Sequence, residues 1–180
     1  MTRLLARPSL VLACAVAAPL AVTPFAAHAQ NATPTTASTT AAKPPNMSGT
    51  WELNVAKSTF GPQGAPTKAT MTLTQVGDKI TTTQAMESAM GNATNTMHHT
   101  IGVATTDTVN GGGQQMPFTS TARWDGTTLV VEGKATMQGT DIPVVSRYTL
   151  SPDGKQLVVD QVVTTPMGEL PSHFVYDKKS

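Results

Sequence analysis

From Thr70 onward the chain alternates between apolar and polar residues. Met71 and Leu73 are interleaved with Thr70, Thr72 and Thr74, and Leu129, Val131, Gly133, Ala135 and Met137 with Thr128, Glu132, Lys134 and Thr136. A period of two sends successive side chains to opposite faces of an extended backbone, so each stretch has one dry and one wet face. The spacings of three and four that would give a helix a buried stripe are scarce. The pattern predicts nine strands, over 49–55, 68–76, 79–87, 95–104, 116–124, 128–137, 142–150, 156–164 and 170–177. Gly77-Asp78, Asp125-Gly126 and Pro152-Asp153-Gly154 fall between such runs and supply residues that tolerate tight hairpin turns, which makes sequential strands antiparallel neighbours. Gly111-Gly112-Gly113 and the segment from Gly61 to Pro66 read as looser loops.

A long antiparallel meander leaves two unpaired edges, and curling until the first and last strands meet removes both. The expected fold is therefore all-β, an up-and-down meander closing into a barrel. A two-sheet sandwich shares the alternation and differs only in its connections.

The N-terminal part has another character. Arg3 and Arg7 precede an apolar stretch from Leu10 to Val22, and Ala27-His28-Ala29 follows as a small-residue exit. These are the three parts of a secretory signal peptide, with cleavage expected after Ala29. A retained spanning helix needs about 20 apolar residues, and this stretch is shorter and is interrupted by Pro19. Cys14, the single cysteine, lies too early in it for a lipoprotein site and would be discarded with it. From Gln30 to Asn46 no apolar residue exceeds Ala in size, so residues 30–47 are expected to be a disordered Thr/Ala/Pro-rich linker, with the folded domain spanning 48–180. Localisation is expected to be periplasmic or extracellular, without disulfides.

Without Arg3 and Arg7 the chain keeps 10 basic against 11 acidic residues. So even a balance, with no basic stripe, argues against nucleic acid and against anionic membranes as partners of the mature form. A monomer is expected.

Three groups of residues resemble a known pattern. Gly49-Thr50-Trp51 is similar to the Gly-x-Trp signature of lipocalins, whose Trp plugs the closed end of an eight-stranded barrel. Ser48 to Asn54 with Lys57-Ser58 and Phe60, Arg123-Trp124-Asp125-Gly126 with Leu129 to Glu132, and Leu150 to Lys155 with Leu157 and Val175 to Lys178 together resemble uncharacterised bacterial exported proteins with a lipocalin-like β-barrel domain. The resemblance implies a lipocalin-like fold and, as in lipocalins, binding of a small apolar molecule. In lipocalins an Arg from the end of the barrel packs across the signature Trp, whereas the last strand here offers Lys178 and Lys179.

If the larger apolar residues face inward, the same parity places Gln84, His99, Ser120, Ser146 and Gln161 inside, with Gly133 and Ala135 too small to fill the middle. Apolar walls with few polar groups are the make-up of a ligand site. A small apolar or amphipathic ligand is expected there, with Gln84, His99 and Gln161 fixing its polar end and Trp124 and Tyr148 beside them. The competing expectation is a filled core in which those polar groups satisfy one another. His98 and His99 point to opposite faces of one strand and cannot converge on one metal. An alternative copper site would draw on Met86, Met90, Met97 and His99, because soft sulfur with imidazole suits that ion. No Gly-x-Ser-x-Gly elbow, His-Glu-x-x-His pair or phosphate-cradling loop occurs, so neither enzymatic activity nor a cofactor is expected.

Overall fold

A computed structural model describes residues 43–61, 64–88, 91–111 and 113–179. The signal peptide, its cleavage site, the linker up to residue 42, and Met90 lie outside the described residues.

Ten strands form one antiparallel sheet: β1 (Gly49–Leu53), β2 (Lys68–Val76), β3 (Lys79–Ser88), β4 (Gly91–Thr100), β5 (Ala104–Gly111), β6 (Gln114–Asp125), β7 (Thr128–Met137), β8 (Thr140–Leu150), β9 (Gln156–Thr165) and β10 (Gly168–Lys178). A three-residue 3-10 turn, Val55–Lys57, follows β1. Spatial order runs β4-β3-β2-β1-β10-β9-β8-β7-β6-β5, so the first strand pairs with the last, Trp51 opposite Lys178 and Leu53 opposite Tyr176. The architecture is the expected meander curled into a lipocalin-like barrel, with ten strands where lipocalins have eight.

Two expectations are corrected. The predicted strand 95–104 runs through a bend. β4 ends at Thr100, Ile101 to Val103 turn the chain with Gly102 at φ +76°, and β5 begins at Ala104. β5 escaped notice because its alternation carries one large apolar residue, Val109, among threonines. The ladder is also not continuous around the barrel. Among the described residues β4 and β5 share no ladder: a single bridge, Thr100 to Val103, lies in the turn between them, and Gly102 N–H of that turn donates to Ala122 O on β6 (2.8 Å). Side chains close this gap. His98 N–H donates to Asp107 Oδ2 (2.8 Å), Asn95 Nδ2 donates to Asn110 O (3.1 Å), and Asn110 N–H donates to Asn95 Oδ1 (2.6 Å).

One end of the barrel is filled. Trp51 is fully buried there among Leu53, Leu73, Ile80, Leu129, Leu157 and Tyr176, and its indole N–H donates to Met47 O (3.1 Å). Met47 is itself 1% exposed, so the domain takes in a residue that the sequence pattern leaves in the linker. Lys178 Nζ from the last strand lies 5.4 Å from the centre of the Trp51 ring, within reach of a cation–π attraction. Gly49 makes room for this arrangement. Its φ of +147° disfavours a side chain, and a Cβ there would come within 3.3 Å of the Lys178 stem.

Gly133 on β7 carries a similar constraint from inside the wall. A Cβ at this position would lie 2.7 Å from both Phe118 Cζ and Ser120 Cβ and 2.8 Å from the Thr119 carbonyl oxygen, a backbone atom that cannot swing away. Gly133→Ala should destabilise the fold by about 1–3 kcal/mol, the range for overpacking a core. Urea unfolding of the two proteins checks this, and an unchanged midpoint would contradict the tight β6–β7 contact.

Candidate functional site

Strand alternation aims one residue in two at the barrel axis, and the axis away from Trp51 is not filled. Met71 from β2, Gln84 and Met86 from β3, Asn95 and Met97 from β4, and Val109 and Gly111 from β5 form one side of a cavity. Met116 and Phe118 from β6, Val131, Ala135 and Met137 from β7, and Ile142, Val144, Ser146 and Tyr148 from β8 form the opposite side; Val159, Gln161 and Val163 from β9 and Phe174 and Tyr176 from β10 complete it. The void measures about 470 Å³. That lies within the range of small-molecule sites. Its origin is local. Gly111, Ala135 and Ser146 are small where larger side chains would meet across the axis, and the Gly133 contact forbids even a methyl group on the adjacent wall.

Polar groups in the described lining are Gln84, Asn95, Ser146, Tyr148, Gln161 and Tyr176, and four of them form two pairs. Gln84 Nε2 donates to the Tyr176 hydroxyl (2.9 Å), and Gln161 Nε2 donates to the Ser146 hydroxyl (3.1 Å). Both tyrosines lie toward the filled end, Tyr176 1% and Tyr148 5% exposed. Burial pushes the Tyr148 phenol up to about 12 and raises Tyr176 as well, so both hydroxyls keep their protons at neutral pH. Toward the other end the lining is Met137, Ile142 and Val163, near the turns that follow β7 and β9. A second hollow, of about 710 Å³, is an open outer groove among Asp153, Lys155, Gln156, Asp177, Lys178 and Lys179. Its carboxylates are already engaged: Asp153 accepts from Ser151 Oγ and Lys155 N–H, and Asp177 from Asn54 and Gln156 side chains, which holds both below the usual carboxylate range.

No family model matches the chain, and no curated protein proved similar to it. Among solved structures, zebrafish ileal bile acid-binding protein complexed with cholic acid is similar at a TM-score of 0.48 and 17% identity, over 73% of this chain and 98% of that one. Secretory abundant heat soluble protein 4 from Ramazzottius varieornatus gives a TM-score of 0.47 and 16% identity, over 74% of this chain and 95% of that one. At such scores neither bears on what the cavity holds, which follows from its own lining.

Of the residues singled out in the sequence, Gln84, Tyr148 and Gln161 line the cavity, and His99 and Trp124 do not. Trp124 packs half-buried against the filled end. Met86 and Met97 line the cavity, while His99, the imidazole of the copper alternative, sits on the wall with Nδ1 3.3 Å from Ser120 Oγ. His98 faces outward to Asp107 (2.8 Å) and His173 to Asp160 (2.6 Å), so among the described residues no two imidazoles converge. Among the described residues no three of His, Cys, Asp or Glu gather as a metal site. Val109, Gly111 and Met116 were missed as lining because they flank the unrecognised β5–β6 hairpin. Their only signal was the alternation that resumes at Met116 and Phe118.

His99 is 2% exposed, and its Nε2, like Thr105 Oγ1, is buried with no protein partner among the described residues. Burial lowers its pKa below the ordinary 6.5; Asp107 opposes this and His98 adds to it. The unfolded chain therefore takes up a proton near 6.5 while the folded one still refuses it. Stability that is complete above that value should be lost as pH falls through it toward the folded pKa. Between about pH 7.5 and 5.5 the unfolding free energy should decline for the natural protein and stay flatter for His99→Leu. His98 and His173 are common to both proteins, so parallel profiles would show that His99 does not titrate on unfolding.

Proposed function

We propose that the chain is an exported, monomeric, non-catalytic binding module whose barrel takes up one small apolar or amphipathic molecule. The observation that carries this reading is the void of about 470 Å³, walled by apolar side chains and provided with two hydrogen-bonded polar pairs. A filled core would have closed that space, because interiors pack to crystal-like density and leave few gaps larger than a water molecule. Absence of catalysis is supported by the lining, where the protonated tyrosines are the ionisable groups and no base stands beside a nucleophile. Export is supported by the Arg3-to-Ala29 segment of the sequence.

The test is a titration of the purified domain with an uncharged fluorophore that brightens in apolar surroundings. Saturable one-to-one binding is expected. Val144→Phe, which places a ring in the void beside Met116, Phe118 and Ala135, should weaken it about tenfold or more without lowering the unfolding midpoint, since it fills space rather than opening it. No saturable binding, or binding indifferent to Val144→Phe, would refute the reading.

A further inference from the structure

A cavity selects its ligand partly through what it lacks. Among the described residues lining the void there is no Asp, Glu, Lys, Arg or His. Removing an ionised group from water into apolar surroundings costs several kcal/mol unless an opposite charge or several strong hydrogen bonds replace its hydration. Here no cation is present to receive a carboxylate, sulfate or phosphate, and no anion to receive an amine.

The polar groups that are present suit a neutral partner. A hydroxyl has one hydrogen to give and two lone pairs to offer. Tyr176 accepts from Gln84 and Ser146 accepts from Gln161, which leaves each hydroxyl hydrogen to donate inward, while the amide oxygens of Gln84 and Gln161 can accept. Such a set can serve an alcohol, which gives and takes, or a carbonyl, which takes. The position of these groups matters as much as their kind. Tyr176 and Tyr148 lie toward the filled end, while the lining nearer the opposite turns is methionine, isoleucine and valine. A ligand is therefore drawn polar end first, and that end is the part removed furthest from water. Methionine side chains are unbranched and adjust to irregular shapes, so the five among the described lining residues (Met71, Met86, Met97, Met116 and Met137) give the apolar part of the site tolerance of chain or ring.

We infer that the ligand class is an uncharged, largely apolar molecule ending in a hydroxyl or carbonyl group, such as a long-chain or isoprenoid alcohol, aldehyde or ketone, held polar end inward by the Gln84–Tyr176 and Gln161–Ser146 pairs, and that fatty-acid and other organic anions are discriminated against. This inference rests on the binding reading above and makes it specific.

The test compares ligands that share a skeleton and differ in charge. Hexadecan-1-ol against hexadecanoate, and retinol against retinoate, each displace the uncharged fluorophore from the full mature domain at about pH 8, where carboxylates are ionised. The alcohol of each pair should bind at least about tenfold more tightly. Lowering the pH toward the range in which the acid gains its proton should raise its affinity and leave that of the alcohol unchanged. Gln161→Arg, checked for folding by its unfolding midpoint, should reverse the preference in favour of the anion by supplying the missing cation. Equal affinities within both pairs, tighter binding of the anions, or failure of all four to displace a bound fluorophore would overturn the ligand class while leaving the cavity as a binding site. Failure of the fluorophore itself to bind would overturn the binding reading instead. The pH series uses the natural protein, so it decides the question even if Gln161→Arg does not fold.

Discussion

The structure depends on how much space ten strands enclose. Barrel width grows with strand number, and about eight strands give an interior that side chains just fill. Two further strands widen the barrel beyond what one inward residue per pair of positions can occupy. The chain meets this excess differently at its two ends. At one end the largest side chain available, Trp51, is set across the axis and surrounded by Leu53, Leu73, Leu129, Leu157 and Tyr176. At the other, glycine, alanine and serine stand on the inner face, and the void remains. The filled end secures the junction of β1 with β10, because Trp51 and Leu53 lie opposite Lys178 and Tyr176. Stability and vacancy are thereby assigned to different parts of one sheet.

This division explains why a domain without disulfides can keep a void of about 470 Å³. An empty volume opened in a packed core is destabilising in proportion to its size. Here the strands around the void are held by their own ladders, and their outer faces add cross-strand pairs such as Arg123 with Glu132 (2.9 Å). Such exposed pairs contribute little singly. The backbone ladder, continuous from β4 through β1 and β10 to β5, provides the larger share of the support. Where it stops, Asn95 and Asp107 stand in for the missing partner strand. Asn95 gives and takes a hydrogen bond with the Asn110 backbone, as a peptide group would, and Asp107 satisfies the His98 N–H. A buried or half-buried edge must find such partners, and two side chains provide them.

Much of this was legible in the sequence, because alternation is a direct consequence of the strand backbone. Wherever apolar residues marked the parity, as at Met71 and Leu73 or Leu129 to Met137, the inward face followed. Parity alone then brought Gln84, Ser146, Tyr148 and Gln161 to the cavity. It failed on β5, where threonines alternate with threonine, aspartate and valine and neither face looks dry. It also could not foresee the bend at Gly102, which depends on a hydrogen bond to Ala122 more than a dozen residues away. His99 shows a subtler limit of parity. Facing inward is a property of the strand, but lining the void depends on depth along the barrel, and at its level Ser120 already stands against the ring. The outward-facing Val130 is fully buried for a reason of the same kind: its cross-strand neighbours Arg123 and Arg147 can lay their aliphatic stems over it.

The pairing of glutamines with hydroxyls ties the fold to the chemistry of the site. A buried amide left without a partner is destabilising by about 1–3 kcal/mol, so an empty cavity in which Gln84 and Gln161 pointed at nothing would weaken the barrel. Binding each amide to a neighbouring hydroxyl removes that penalty in the empty state, and it does so with groups that retain further donors and acceptors. A cation in the same position would have no such partner, because none of the described residues that line the void is a carboxylate. Neutral polar groups are thus the kind of polarity that this interior can carry while each remains hydrogen-bonded to a neighbour on the wall.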